Sequence, residues 1–226
     1  MPIIEKISSR LNFYIKKFFY LYIKRDPFTR EVQRWYQEGG EEFLRYDYKL
    51  TQESLVFDLG GYRGEWSQKI ADKYNPQIYI FEVVPEHFIS IRERFKNNPK
   101  VSVFNFGLSD KNKELGVRVE NEKSSIHKSG GRQVSVSLVD VEEFFNREGI
   151  DHVDLMKINI EGGEYDLLKG MIRSDLIRAC NDLQIQFHDF FENAKSMRRE
   201  IRKELEHTHY LTFDYSFVWE NWRRRE

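Results

Sequence analysis

Val56-Phe57-Asp58-Leu59-Gly60-Gly61-Tyr62-Arg63-Gly64, followed by Ile78-Tyr79-Ile80-Phe81-Glu82, decides how this chain folds. A short apolar run ends in a carboxylate and a glycine-rich turn. A helical stretch follows, then a second apolar run ending in another carboxylate. This is how the first two strands of an α/β sheet grip a nucleoside ligand at their carboxyl ends. Gly60, Gly61 and Gly64 carry no Cβ and tolerate positive φ, so backbone and ligand can approach closely. The Glu82 carboxylate lies one strand–turn–helix–turn further on, placed to accept two hydrogen bonds from a ribose diol.

Two cofactor classes use this layout. Dinucleotides prefer G-x-G-x-x-G, which seats a pyrophosphate on a helix N-terminus. Here Leu59 stands where the first of those glycines belongs, which counts against NAD. An acidic residue two before the first glycine suits a cationic, amine-bearing ligand instead. S-adenosylmethionine (SAM) has a sulfonium, an α-amino group and no phosphate, and is the cofactor expected.

A chain of 226 residues, 40% hydrophobic and 32% charged, suits one globular α/β domain with a full core. Its net charge of −1 gives no global drive toward nucleic acid. The single cysteine, Cys180, excludes an intrachain disulfide and a Cys-rich zinc site, and fits a cytoplasmic setting. No run of about 18 apolar residues appears, so no transmembrane helix is expected.

The N-terminus is expected to form a helical cap over residues 1–50, ahead of the main domain at 51–226. Ile3, Ile4, Ile7, Leu11, Tyr14, Ile15, Phe18, Phe19 and Tyr22 recur at roughly helical spacing. Lys6, Arg10, Lys16, Lys17, Lys24 and Arg25 face only Glu5 in charge. Such a helix packs on the domain or a partner subunit of a homo-oligomer, or lies on an anionic membrane surface. The first reading is favoured.

Further along, strands at 55–58, 78–82, 101–106, 153–160 and 183–187 alternate with helices at 64–74, 85–96, 139–147, 164–171 and 194–206. A last strand region spans 210–219. Such alternation gives a mostly parallel, twisted sheet with helices on both faces. Residues 111–136 read as a hairpin-like insertion or a mobile loop, with strands at 115–119 and 134–138. In this architecture ligands bind beyond the carboxyl ends of the strands. Asn159, Glu161, Gly162 and Gly163 leave one strand there, and His188-Asp189 leave the next. A histidine at such an exit is a candidate general base; Glu161 either orients the acceptor, is the base instead, or only caps the helix that starts near Gly163. A divalent metal on Glu161, His188 and Asp189 is a weaker candidate. His127, His207 and His209 are expected at the surface. Trp219, Trp222 and Arg223-Arg224-Arg225 read as core tryptophans with a solvated basic end, in preference to a carbohydrate or phosphate contact.

Together, Asp58-Leu59-Gly60-Gly61-Tyr62-Arg63-Gly64, Phe81-Glu82, the Phe106–Asp110 exit and Lys157-Ile158-Asn159-Ile160-Glu161-Gly162-Gly163-Glu164 resemble the FkbM-type SAM-dependent methyltransferases. The resemblance runs over about 55–171. The family usually has Lys-Ile-Asp-x-Glu-Gly in the last segment, where this chain has Asn159; many members have alanine and asparagine where Gly61-Tyr62 stand. It implies a Rossmann-like class I methyltransferase fold and O-methylation of a sugar or natural-product hydroxyl. By position, Asp58, Gly60, Gly61, Tyr62 and Gly64 would hold the methionine end of SAM, Glu82-Val83 the ribose, and Ser109-Asp110 the adenine edge. Asn159 and Glu161 would line the reacting centre, with His188 as base. A sugar or glycan acceptor leads; a lipid-linked or polyketide-like acceptor, or a catalytically silent SAM-fold binding protein, are the alternatives. No Asn/Asp-Pro-Pro-Tyr-like segment for a flipped base is found, so no nucleic-acid partner is expected.

Overall fold

The computed structural model describes residues 26–120, 123–125 and 132–226. The segment 1–25, with its membrane and partner-subunit readings, and His127 lie outside the described residues.

The chain enters through helix α1, Pro27–Gln37, and a short π-helical turn, Gly40–Leu44. Strand β1, Leu55–Leu59, leads to α2, Glu65–Tyr74, then β2, Gln77–Phe81, α3, Pro85–Phe95, and β3, Val101–Phe104. Asn75 ends α2 with φ 53°, and Pro76 bars continuation. Pro85 opens α3, where a missing N–H leaves no hydrogen bond unmade. Four short strands follow: β4, Gly107–Ser109; β5, Lys113–Glu120; β6, Lys123–Ser125; β7, Arg132–Asp140. Asp140 then caps α4, Val141–Glu148, by accepting from the amides of Glu142 and Glu143 at 2.8 and 3.2 Å. The rest is β8, Val153–Ile158; α5, Glu164–Arg173; β9, Cys180–Ile185; α6, Ala194–Leu205; β10, His209–Tyr215; and β11, Trp219–Arg224.

The main sheet runs β10–β11–β9–β8–β1–β2–β3. β9, β8, β1, β2 and β3 pair in parallel, and β11 inserts antiparallel between β9 and β10. Strand order reverses between β1 and β8, which opens a crevice at their carboxyl ends. Alternate side chains feed two cores. Phe57, Leu59, Met156 and Ile158 pack with Phe144, Tyr165, Leu168 and Leu205. Val56, Ile78, Ile80 and Leu155 pack with Trp66, Ile70, Ile91 and Phe95. Both faces are covered, which is why the parallel strands read as nearly continuous apolar runs. A third cluster seats Trp35 of α1 on Tyr215, Val218 and Trp219.

The structure revises several expectations. The third strand stops at Phe104, and Gly107–Ser109, expected as its exit turn, is a strand of a second sheet ordered β4–β7–β5–β6. The 111–136 region is thus built into a four-stranded sheet, because Gly107–Ser109 pairs in parallel with Leu138–Asp140. The single final strand is a hairpin, β10–β11, turning at Phe217 with φ 59°. His209 is not at the surface. It is fully buried; its ring bonds the Cys180 carbonyl at 3.0 Å and the Thr208 hydroxyl at 2.7 Å. Trp222 is a core residue, Arg223 pairs with Asp182 at 3.0 Å, and Arg224 and Arg225 donate to backbone carbonyls. The basic end is thereby engaged within the fold.

Candidate functional site

At the carboxyl ends of β1, β2 and β8 lies a cavity of about 360 Å³. Its floor is Leu59, Gly60, Tyr62, Glu82, Val83 and His87; Asn159 to Gly163 form one side. The second sheet supplies the opposite wall through Leu115, Val117, Val136 and Leu138, with Leu108 and Ser109 beside them. These four apolar residues alternate along β5 and β7 in register, so one face of that sheet presents a continuous apolar surface. Lys113 and Asp166, which both line the cavity, pair at 2.8 Å, and Arg132 of β7 pairs with Glu86 of α3.

Local backbone explains the shape. Gly60 has φ 85°, and a Cβ there would sit 2.0 Å from the Asn159 carbonyl oxygen. Only glycine lets the β1 and β8 exits lie this close. The Gly60 and Gly61 amides both donate to Phe81 O, at 2.9 and 3.2 Å, tying the turn to β2. Tyr62, at φ 52°, sends its amide to Glu82 Oε2 at 2.8 Å, and the Val84 amide donates to Glu82 Oε1 at 2.8 Å. Each Glu82 oxygen thus accepts one backbone bond and has lone-pair capacity left at the cavity, which Glu82 lines, with His87 Nδ1 3.8 Å from Oε1. Across the cavity, Glu161 has φ 52° and Gly162 φ 105°. Left-handed backbone at a residue with a Cβ is strained, and here both strand exits that bound the cavity carry it.

Some expected site residues do not line the cavity. Asp58 is fully buried behind the turn, accepting from Lys157 Nζ at 2.7 Å and Ser67 Oγ at 2.5 Å. Its carboxylate braces the turn from behind, because Lys157 also donates to Gly60 O at 2.8 Å. Burial lowers the Lys157 pKa, against the pull of Asp58. Gly61 and Gly64 serve packing: a Cβ would meet Ile80 at 2.3 Å in one case and Phe95 at 2.9 Å in the other. Asp110 turns away onto Gly170 of α5; against the effect of burial, Lys113 at 3.4 Å holds its carboxyl below the usual range.

His188 sits just outside the cavity lining, its Nδ1 2.9 Å from Glu164 Oε1. Burial disfavours its imidazolium, but the bond to Glu164 and the charges of Glu164, Glu161 and Asp189 outweigh that and raise its pKa. Glu164 is fully buried and also accepts from the amides of Ile160, at 2.8 Å, and Gly162, at 3.0 Å. So Glu164, and not Glu161, makes the helix-start contacts. Glu161 lines the cavity, and its carboxylate has no hydrogen bond or ion pair among the described residues. Among the described residues no three His, Cys, Asp or Glu side chains are grouped to hold a metal ion, so the Glu161–His188–Asp189 site is not formed.

Sequence reasoning gave no role of their own to Lys157 or Glu164; it expected residues 111–132, with the N-terminal helices, to build the acceptor pocket, and Leu115 and Val117 of that stretch line the cavity. A lysine in a buried strand, Leu155-Met156-Lys157-Ile158, was itself a signal, since a charge there must be paired. The alternation along β5 and β7 marks an apolar face but not what that face packs over.

The methyltransferase FkbM domain family matches residues 58–215. This chain belongs to that family. No curated protein matches it. Among solved structures, a putative rRNA methylase from Clostridium thermocellum aligns with TM-score 0.53 and 9% identity, over 84% of this chain and 96% of its own. A putative methyltransferase from Streptococcus mutans in complex with SAH aligns with TM-score 0.47 and 11% identity, over 76% of this chain and 88% of its own. The fold is that of the class I SAM methyltransferases, and the FkbM-family chain is a methyltransferase.

Proposed function

We propose that this FkbM-family protein transfers the methyl group of SAM to a hydroxyl of a sugar or glycan. The observation that carries the reading is one cavity joining two unlike ends. At one end, Glu82 keeps a lone pair on each oxygen for a ribose diol, beside an apolar slot of Val83, Leu108, Val136 and Leu138 suited to a flat base. At the other, Asn159 and Glu161 offer an amide and an unengaged carboxylate to a hydroxyl acceptor.

SAM, when bound, supplies an electrophilic methyl on sulfur. The protein's task is to aim the acceptor oxygen at it and take up the hydroxyl proton. Holding reactants in near-attack geometry contributes about 7–11 kcal/mol in favourable cases. Glu161 is the base this reading favours, since it lines the cavity and its carboxylate has no other partner among the described residues; such a base adds roughly 10²–10⁴-fold. His188, assigned that task on sequence grounds, has its Nδ1 engaged with Glu164, one shell back.

The test pairs calorimetry of SAM, S-adenosylhomocysteine and NAD with a mass-shift screen of methyl glycosides, oligosaccharides and ribosomal RNA. Binding of the two SAM-type ligands and methylation of a glycoside are expected. Methyl transfer to RNA alone, or binding of NAD alone, overturns the reading.

A further inference from the structure

Glu164 is a fully buried carboxylate that lies behind the cavity wall and has three partners: the amides of Ile160 and Gly162, two residues that line the cavity, and His188, which does not. Its two oxygens accept from Ile160 N and Gly162 N, on either side of Glu161. Glu161 is the residue held at φ 52°. Left to itself, a residue with a Cβ pays about 1–2 kcal/mol for that conformation, so something must impose it. A carboxylate fixed at the start of α5 and reaching back to both flanking amides does so. His188 completes the arrangement: its Nδ1–H points at Glu164 Oε1, and the Tyr165 hydroxyl anchors the His188 carbonyl at 2.7 Å. The imidazole fixes the carboxylate rotamer, and the carboxylate fixes the turn.

We propose that Glu164 and His188 are positioning residues that act through the backbone of 160–162 to aim the Glu161 carboxylate into the cavity. The inference rests on the reading of Glu161 as base. The groups facing His188 are Glu164 of α5, Glu161 of the β8–α5 turn and Asp189 of its own loop, all acidic. Burial opposes its imidazolium, but these charges and the bond to Glu164 outweigh burial and favour it, and in that form the bond to Glu164 Oε1 is charge-assisted. As pH rises through the His188 pKa, the Nδ1–H bond to Glu164 survives in one tautomer but loses its charge assistance, and the hold on the turn slackens.

The experiment uses the full chain, ¹⁵N-labelled, as wild type, Glu164→Gln, His188→Gln and Glu161→Gln. Four readouts are taken: exchange of the Ile160 and Gly162 amides, the His188 titration, S-adenosylhomocysteine affinity and turnover of a methyl glycoside. A glutamine at 164 can accept from only one amide while its NH₂ opposes the other. Exchange at one or both amides should therefore speed up by about tenfold or more, and His188 should titrate nearer the ordinary imidazole value. Cofactor affinity should change less than about threefold, because Glu164 does not line the cavity. His188→Gln, which keeps Glu164 intact, should show a smaller rise in exchange at the same amides. Unchanged amide exchange in Glu164→Gln overturns the proposal, as does turnover of a methyl glycoside that survives Glu164→Gln but is lost in Glu161→Gln. If Glu161→Gln turns over like wild type, the base reading fails and the aiming role fails with it, even where the amides show that Glu164 holds the turn.

Discussion

Lys157 Nζ lies 2.7 Å from Asp58 Oδ1, with both side chains buried, and the same ammonium donates to Gly60 O at 2.8 Å. One charge pair therefore joins the carboxyl ends of β1 and β8, at the point where strand order reverses. It stiffens the turn that forms the cavity floor without touching what the cavity holds.

Removing one member leaves the other charged and unpaired in the interior. Lys157→Met should cost about 3–5 kcal/mol of folding stability. The double variant Asp58→Asn, Lys157→Met should recover a good part of that, since no unpaired charge remains. Urea denaturation of wild type, both single variants and the double provides the comparison. A double variant no more stable than Lys157→Met would show that the pair's charge is not what matters.

Gly60→Ala tests the close approach of the two strand exits. The new Cβ would sit 2.0 Å from a backbone oxygen, Asn159 O, at a residue with φ 85°. No flexible side chain can give way there, so β8 must shift. Destabilisation on the order of 2–4 kcal/mol is expected, with S-adenosylhomocysteine binding abolished at concentrations that saturate wild type. Gly149→Ala is the control, since its φ of 65° carries the backbone strain with nothing within 4 Å of the Cβ. Equal losses in the two variants would mean that strain alone, and not crowding against Asn159, accounts for Gly60.

Much of this was legible in the sequence. The first two strands, which end at Leu59 and Phe81, each within one residue of the sequence reading, the helix opened by Pro85 and the turn at Gly162-Gly163 each carry a local chemical reason that survives folding. The second sheet was not legible, because Gly107-Leu108-Ser109 is too short to show a period and acquires its strand conformation only by pairing with Leu138–Asp140. Asp58 misled for a different reason: an acid after a buried strand looks the same whether it faces a ligand or a lysine 99 positions away. His209 sits at a helix end in sequence, where exposure is the usual outcome, but the β10 pairing carries it under Cys180.

Glu82→Gln tests the ribose end. Both Glu82 oxygens accept backbone N–H groups, and an amide must turn its own NH₂ toward Tyr62 N or Val84 N. The side chain is then displaced and one acceptor is lost. Hydrogen bonds to a charged group contribute roughly 1.5–3 kcal/mol, so loss of the one offered to the ribose should lower S-adenosylhomocysteine affinity about 10–150-fold, and loss of a backbone acceptor should lower the melting temperature as well. Calorimetry reads this directly, and an affinity within threefold of wild type would remove Glu82 from the cofactor site.

His209 should set part of the acid sensitivity of the fold. Burial pushes its pKa down to about 4 from the ordinary 6.5. The bond to Cys180 O works against that shift, while Arg224, Arg178 and Arg225 reinforce it. The folded-state value is depressed, so between the two pKa values the unfolded chain binds a proton that the folded chain refuses. Stability from this group is thus fully present above pH 6.5 and is lost as pH falls toward 4, by about 1.4 kcal/mol per unit and on the order of 3 kcal/mol in all. His209→Gln keeps a donor for Cys180 O but cannot titrate. Its stability relative to wild type should therefore improve as the solution is acidified from pH 7.5 to 4.5, and urea denaturation at four pH values across that range measures the trend. A constant difference between the two proteins would mean that His209 is protonated in the folded state as readily as in the unfolded one.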